Sequence, residues 1–132
     1  MEEDENFNAL RVMDDAAGPE PLDERTERFA KKVRAFIRKL PRTISNAEDV
    51  KQLVRASGSV AANYIEANEA ISRKGFALRI KYCRKEAKES RLFLSLLDTA
   101  DAKSLEEERA TLIQEAVELK LIFASILRNH DL

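Results

Sequence analysis

The sequence predicts an all-α protein, an antiparallel up-and-down four-helix bundle, and three observations carry that prediction. Apolar residues recur at offsets of three and four in four successive stretches separated by turn or breaker residues. Three Gly, three Pro and 6% aromatic residues, set against abundant Ala, Leu, Glu, Lys and Arg, favour helix over strand. At 132 residues there is room for one domain that buries a core without disulfides or metals, and no run alternates as a strand would.

Residues 1–22 contain little apolar periodicity, include Gly18-Pro19-Glu20-Pro21 and are rich in acids, the pattern of a flexible tail preceding a bundle over 23–132. Helix one is expected from Leu22-Asp23, with Asp23 as cap, to Leu40, where Pro41 stops it. Its stripe is Phe29, Val33, Phe36, Ile37 and Leu40. Helix two is expected over about 46–71, opened by a capping box of Ser45 and Glu48, with an apolar series from Val50 to Ile71. Small residues cluster at 56–62, and Gly58 there costs a helix interior about 1 kcal/mol relative to Ala, which close approach by another helix would offset.

Ser72 and Gly75 mark the next turn. Helix three then carries Phe76, Ile80, Cys83, Ala87, Leu94 and Leu97 on one stripe to about Thr99, with Leu78, Tyr82, Leu92, Phe93 and Leu96 widening it. Ser104 with Glu107 has the form of a second capping box, and helix four runs to about Asn129. Its last third is apolar almost all round, although one stripe suffices inside a bundle. Leu119, Ile122, Phe123 and Ile126 are therefore candidates for an interface between copies, the alternative being cover by the N-terminal tail or helix one.

Formal net charge is −1, a cancellation between segments: residues 1–22 hold seven acids and one base, 51–91 ten bases and four acids, and 98–132 four bases and eight acids. The single Cys83 lies on an apolar stripe and reads as a small core residue in a reducing compartment. The acidic N-terminus is unlike a secretory signal and no stretch is apolar enough to span a membrane, so a cytoplasmic location is expected.

The segment Gln52-Leu53-Val54-Arg55-Ala56-Ser57-Gly58-Ser59-Val60-Ala61-Ala62-Asn63-Tyr64-Ile65-Glu66-Ala67 resembles the signature of the bacterial four helix bundle family, which includes the ribosomal RNA intervening-sequence proteins. The resemblance extends from Phe76 to Leu97 through Lys85-Glu86-Ala87-Lys88-Glu89. It implies up-down topology and a ring-shaped homo-oligomer, a pentamer, and no established reaction. More distantly the chain is similar to the accessory variability determinant proteins of retroelements, basic pentamers that bind nucleic acid, from which the net charge of −1 departs.

No cofactor, metal or catalytic residue is expected. Carboxylate-bridged metal sites in bundles use Glu-x-x-His pairs, and here Glu86-x-x-Glu89 occurs without one, while the only histidine is His130, where a helix end frays. Arg55, Ser59, Asn63, Glu66, Glu86 and Glu89 form a candidate polar network between helices two and three, with a hairpin turning near Arg73-Lys74 that sets Asn63 near Arg84, Glu66 near Lys81 and Arg55 near Leu92 and Glu89. A structural salt-bridge network is the ordinary reading of such residues and a ligand pocket the other.

Lys74, Lys81, Arg84, Lys85, Lys88 and Arg91 give helix three one basic side. A solvated helix face explains it by default, and contact with the phosphate backbone of RNA or DNA is the functional alternative. The sequence thus points to a non-enzymatic, self-assembling scaffold or binding module, with nucleic acid as the candidate partner. A protein adaptor whose acidic tail covers the basic side or engages a basic partner is the second reading, and a ligand-binding or enzymatic bundle the third.

Overall fold

The structure, a computed structural model, describes residues 20–129. It contains α1 (Leu22–Ile37), α2 (Ile44–Glu69), α3 (Arg73–Leu96) and α4 (Lys103–Asn129). Short connections at 38–43, 70–72 and 97–102 reverse the chain each time, so α2 packs between α1 and α3, and α4 closes the bundle against α3 and α1. This is the antiparallel four-helix bundle that the periodicity predicts, and no strand occurs among the described residues. No helix among them is long and apolar enough to cross a membrane.

The expected stripes make the core. Phe29, Val33 and Phe36 of α1, Leu53, Val60 and Tyr64 of α2, Phe76, Ile80 and Cys83 of α3, and Leu119 and Phe123 of α4 are fully buried. Tyr64 and Phe123 meet at a ring separation of 6.4 Å with planes tilted by 42°, a favourable aromatic approach. Leu78, Tyr82, Leu92 and Leu96 depart from expectation: they are 40–53% exposed, so they do not widen the buried stripe of α3.

Helix ends differ from the sequence reading for identifiable reasons. Asp23 lies inside α1 and does not cap it; Pro21 holds the cap position without a side-chain bond, while Asp23 and Glu24 place negative charge at the positive end of the helix dipole. α1 gives way at Ile37, before Leu40, because the residue preceding Pro41 is driven out of helical geometry and the last turn tightens through Lys39 N–H to Phe36 O. Thr43, rather than Ser45, caps α2: its Oγ1 accepts the Asn46 N–H at 3.1 Å. That earlier start turns Asn46 inward, where its Nδ2 donates to Pro41 O and Asp98 O, both at 2.9 Å, and its Oδ1 accepts Asp98 N–H at 2.9 Å. One buried side chain thus fastens both connections at that end of the bundle.

α2 stops at Glu69, so Ile71 lies outside it and is exposed. Ser72 caps α3 by accepting Gly75 N–H at 3.0 Å, and Gly75 is accordingly a first-turn helical residue. α4 begins at Lys103, ahead of Ser104, because Ala100 and Asp101 both adopt left-handed backbone (φ 54° and 58°) and turn the chain early. Asp98 Oδ1 supports that turn by accepting Ala100 N–H at 2.8 Å. Arg109 reaches back to the Leu97 carbonyl and to Glu106.

Gly58 is explained by a side chain rather than by a neighbouring backbone. A Cβ added there would stand 3.2 Å from Nη2 of Arg34 on α1, the atom that donates to Val54 O at 3.4 Å. α1 is tied to α4 by Arg25, whose guanidinium donates to Glu115 at 2.7 and 2.8 Å and to Glu118 at 3.0 Å. These bonds, first among them that to Glu115, hold the Arg25 pKa well above its ordinary value.

Candidate functional site

The polar residues of the α2 signature gather with α3 on one outward-facing side of the bundle. Arg55 forks between two carboxylates, donating from Nη1 to Glu86 at 3.1 Å and from Nη2 to Glu89 at 2.5 Å. Glu89 lies where the hairpin geometry expects it, one turn from Glu86 on the α2 side of α3. Asn63 meets Arg79 and not Arg84: Arg79 Nη1 donates to Asn63 Oδ1 at 3.1 Å, while Asn63 Nδ2 donates to Ser59 O at 2.9 Å. The reason is the turn, which is centred near Ile71-Ser72 instead of Arg73-Lys74 and slides α3 by about one helical turn. Ser59 enters through its backbone carbonyl alone, and Glu66 is exposed and stands outside the cluster.

Electrostatically the cluster is unbalanced, two carboxylates sharing one guanidinium. Glu86 is almost fully buried, and the loss of hydration pushes its pKa above the usual carboxylate range, with the Glu89 charge adding and Arg55 opposing. Arg55 is raised in turn, chiefly by its bond to Glu89. Arg79 also lies 5.9 Å from the centre of the Tyr82 ring, a cation–π approach that joins the cluster to exposed apolar surface. Sequence reasoning missed Arg79. Its only signal is its place one helical turn before Cys83, on the flank that also carries Glu86.

The basic residues of α3 occupy the neighbouring flank. Lys74, Lys81, Lys85, Lys88 and Arg91 are exposed and Arg84 is half-buried, and none of the six pairs with a carboxylate among the described residues. Several cations of α1 behave differently: Arg25, Arg28 and Lys31 lie against glutamates, as does Lys39 just beyond the helix. An open groove of about 610 Å³ between α1 and α4 is lined by Arg25, Arg28, Phe29, Lys32, Glu115 and Glu118, whose charges largely neutralise one another.

The candidate interface residues of α4 are placed inward. Leu119 and Phe123 are fully buried and Ile126 nearly so, all within the subunit core, and Ile122 packs partly against it. Leu121 is the large apolar side chain exposed there. α4 packs against α3 and α1, so these apolar side chains find partners within their own chain. Among the described residues no three potential metal ligands converge, and His130 lies outside them, as do residues 1–19 of the expected tail.

No curated protein matches the chain. A solved structure does: a protein of unknown function from the S23 ribosomal protein family of Bacteroides thetaiotaomicron superposes with a TM-score of 0.68 at 23% identity, over 80% of this chain and 97% of that one. This likeness shows the fold. The family profile described as "23S rRNA-intervening sequence protein" matches residues 23–125, from the first turn of α1 almost to the end of α4. By that match the chain belongs to the 23S rRNA-intervening sequence protein family.

Proposed function

We propose that the protein is a non-enzymatic, self-assembling bundle that acts as a scaffold or binding module, and that the basic flank of α3 holds nucleic acid without regard to sequence. The observation that carries this reading is the set Lys74, Lys81, Arg84, Lys85, Lys88 and Arg91, unneutralised by carboxylates among the described residues, while Arg25, Arg28 and Lys31 of α1 are paired. Phosphate contact through such side chains releases condensed counterions, so binding falls steeply with salt. Assembly multiplies a weak footprint, and the pentamer implied by the family resemblance would repeat the flank five times around a ring. The family's description names a ribosomal RNA, which favours RNA as the first polyanion to test. The engagement of Glu86 and Glu89 by Arg55 supports a structural rather than catalytic role for that pair. A protein-adaptor reading draws support from the exposed Leu78, Tyr82, Leu92 and Leu96.

The test is salt-dependent binding to mixed RNA and DNA. Replacing Lys74, Lys81 and Arg91 together by Glu should abolish binding with helicity unchanged, because charge reversal on exposed positions costs little stability. Removing residues 1–22 takes away seven acids and one base, raises the net charge from −1 to +5, and should tighten binding. If the shortened protein binds neither polyanion at low salt, the nucleic-acid reading fails and the adaptor reading takes its place.

A further inference from the structure

α3 has an outward face that nothing in the described chain covers. Lys74, Leu78, Lys81, Lys85, Lys88 and Leu92 follow one another at steps of four and three, which places them on one line along the helix, with Tyr82 beside it, and all seven are exposed. From the start of α3 onward the line is a base, then an apolar patch of Leu78 and Tyr82 around Lys81, then the bases Lys85 and Lys88. A phosphate backbone satisfies the bases and leaves the patch in water. The partner that matches the whole line carries acids on both sides of a short apolar run.

The chain has such a segment ahead of its described residues. Residues 1–19 hold six acids and one base: Glu2, Glu3, Asp4 and Glu5 form one block, Asp14 and Asp15 another, and Phe7, Leu10, Val12 and Met13 lie between them. We propose that residues 2–15 dock on the outward face of α3 of their own chain, their numbering falling as α3 advances. Asp14 and Asp15 then meet Lys74 and Lys81. Phe7, Leu10 and Met13 cover Leu78 and Tyr82, and the block at 2–5 reaches Lys85 and Lys88. Leu92 and Leu96 lie beyond this register.

The tether sets both the occupant and its direction. α1 begins at the end of the bundle where α3 begins, and the two stand diagonally across it, roughly 14 Å apart for helices packed at the usual distance. The five residue steps from Glu20 back to Asp15 span about 17 Å when extended, and a lysine side chain covers the remaining distance to Lys74. A segment anchored so close meets the face at an effective concentration on the order of millimolar, so a contact too weak to hold a separate peptide is occupied. The docking deepens the proposed function and rests on it in one respect. A polyanion bound to the same bases must displace the segment, which makes residues 1–19 a competitive regulator of that surface.

Disulfide trapping in the full-length chain tests the docking. Leu10→Cys is combined in one variant with Leu78→Cys and in another with Ile65→Cys, a position that is 59% exposed and lines the groove beside Asp23 and Glu24 at the start of α1. Reach alone favours position 65, and docking favours position 78. The 10–78 bridge should therefore form within one chain several-fold faster than the 10–65 bridge, while Cys83, fully buried, stays out of both. Equal rates, or a 10–78 bridge that joins two chains on a non-reducing gel, overturn the proposal. Phe7→Ser with Met13→Ser keeps every charge and should bring the two rates level; a preference that survives this change overturns it as well, since charge attraction alone would then suffice. Binding of mixed RNA and DNA is read separately on the chain without residues 1–19. A protein that shows the 10–78 preference but, when shortened, binds no polyanion sinks the nucleic-acid reading alone. One that shows no preference and binds equally with and without the segment sinks the docking alone.

Discussion

Glu86 carries its charge reluctantly, and the sign of that reluctance is measurable. Its pKa is raised in the fold by burial first and by Glu89 second, so the folded chain holds the proton over a range where the unfolded chain has already released it. Its contribution to stability is therefore largest below the ordinary carboxylate value and shrinks as pH rises through the raised one. Urea denaturation of the protein and of Glu86→Gln at pH 4 and pH 7 isolates the effect: the advantage of the native residue over Gln should fall with rising pH, and a flat difference would contradict this placement of Glu86. The sequence exposes this site in part. Arg55 and Glu89 are legible as partners because a helical hairpin brings acids to bases at predictable separations, but a turn misplaced by two residues moves Asn63 from Arg79 to Arg84. Asn46 is invisible as a clamp because its three partners are backbone groups, and backbone groups leave no residue pattern.

Each of the four elements announces itself through its apolar period, since burial on one side of a helix leaves a 3.6-residue trace. The period does not say how wide that side is. Leu78, Tyr82, Leu92 and Leu96 share the character of the core of α3 yet point away from it, and only the positions of α2 and α4 decide which flank they cover. Helix starts are ambiguous for a related reason: Thr43 and Ser45 are both competent caps, and the burial of Asn46 settles the choice. Thr43→Ala should cost about 1 kcal/mol by losing the bond to the Asn46 N–H, whereas Ser45→Ala should stay within about 0.5 kcal/mol. Thermal denaturation of the two variants side by side checks the assignment, and equal losses would place the cap at Ser45 after all.

The bundle as a whole has two unlike ends. One holds the connections at 38–43 and 97–102; the other holds the short α2–α3 turn together with the start of α1 and the end of α4. Residues 41 and 98 are joined at the first end through Asn46, so the α2–α3 hairpin is a closed loop whose two feet are tied to each other by a single amide. A loop tied at its feet opens from its tip. Amide hydrogen exchange should accordingly slow along α2 from 64–69 towards 50–56 and quicken along α3 from 90–94 back towards 76–79, giving opening of the native state a direction. Asn46→Ala leaves buried backbone groups without their partner and should erase that gradient before it unfolds the protein. A gradient that survives the substitution would place the anchor elsewhere. With its feet released, the hairpin would open as readily from the connections as from the tip, and the bundle would exchange a one-way hinge for a symmetrical one.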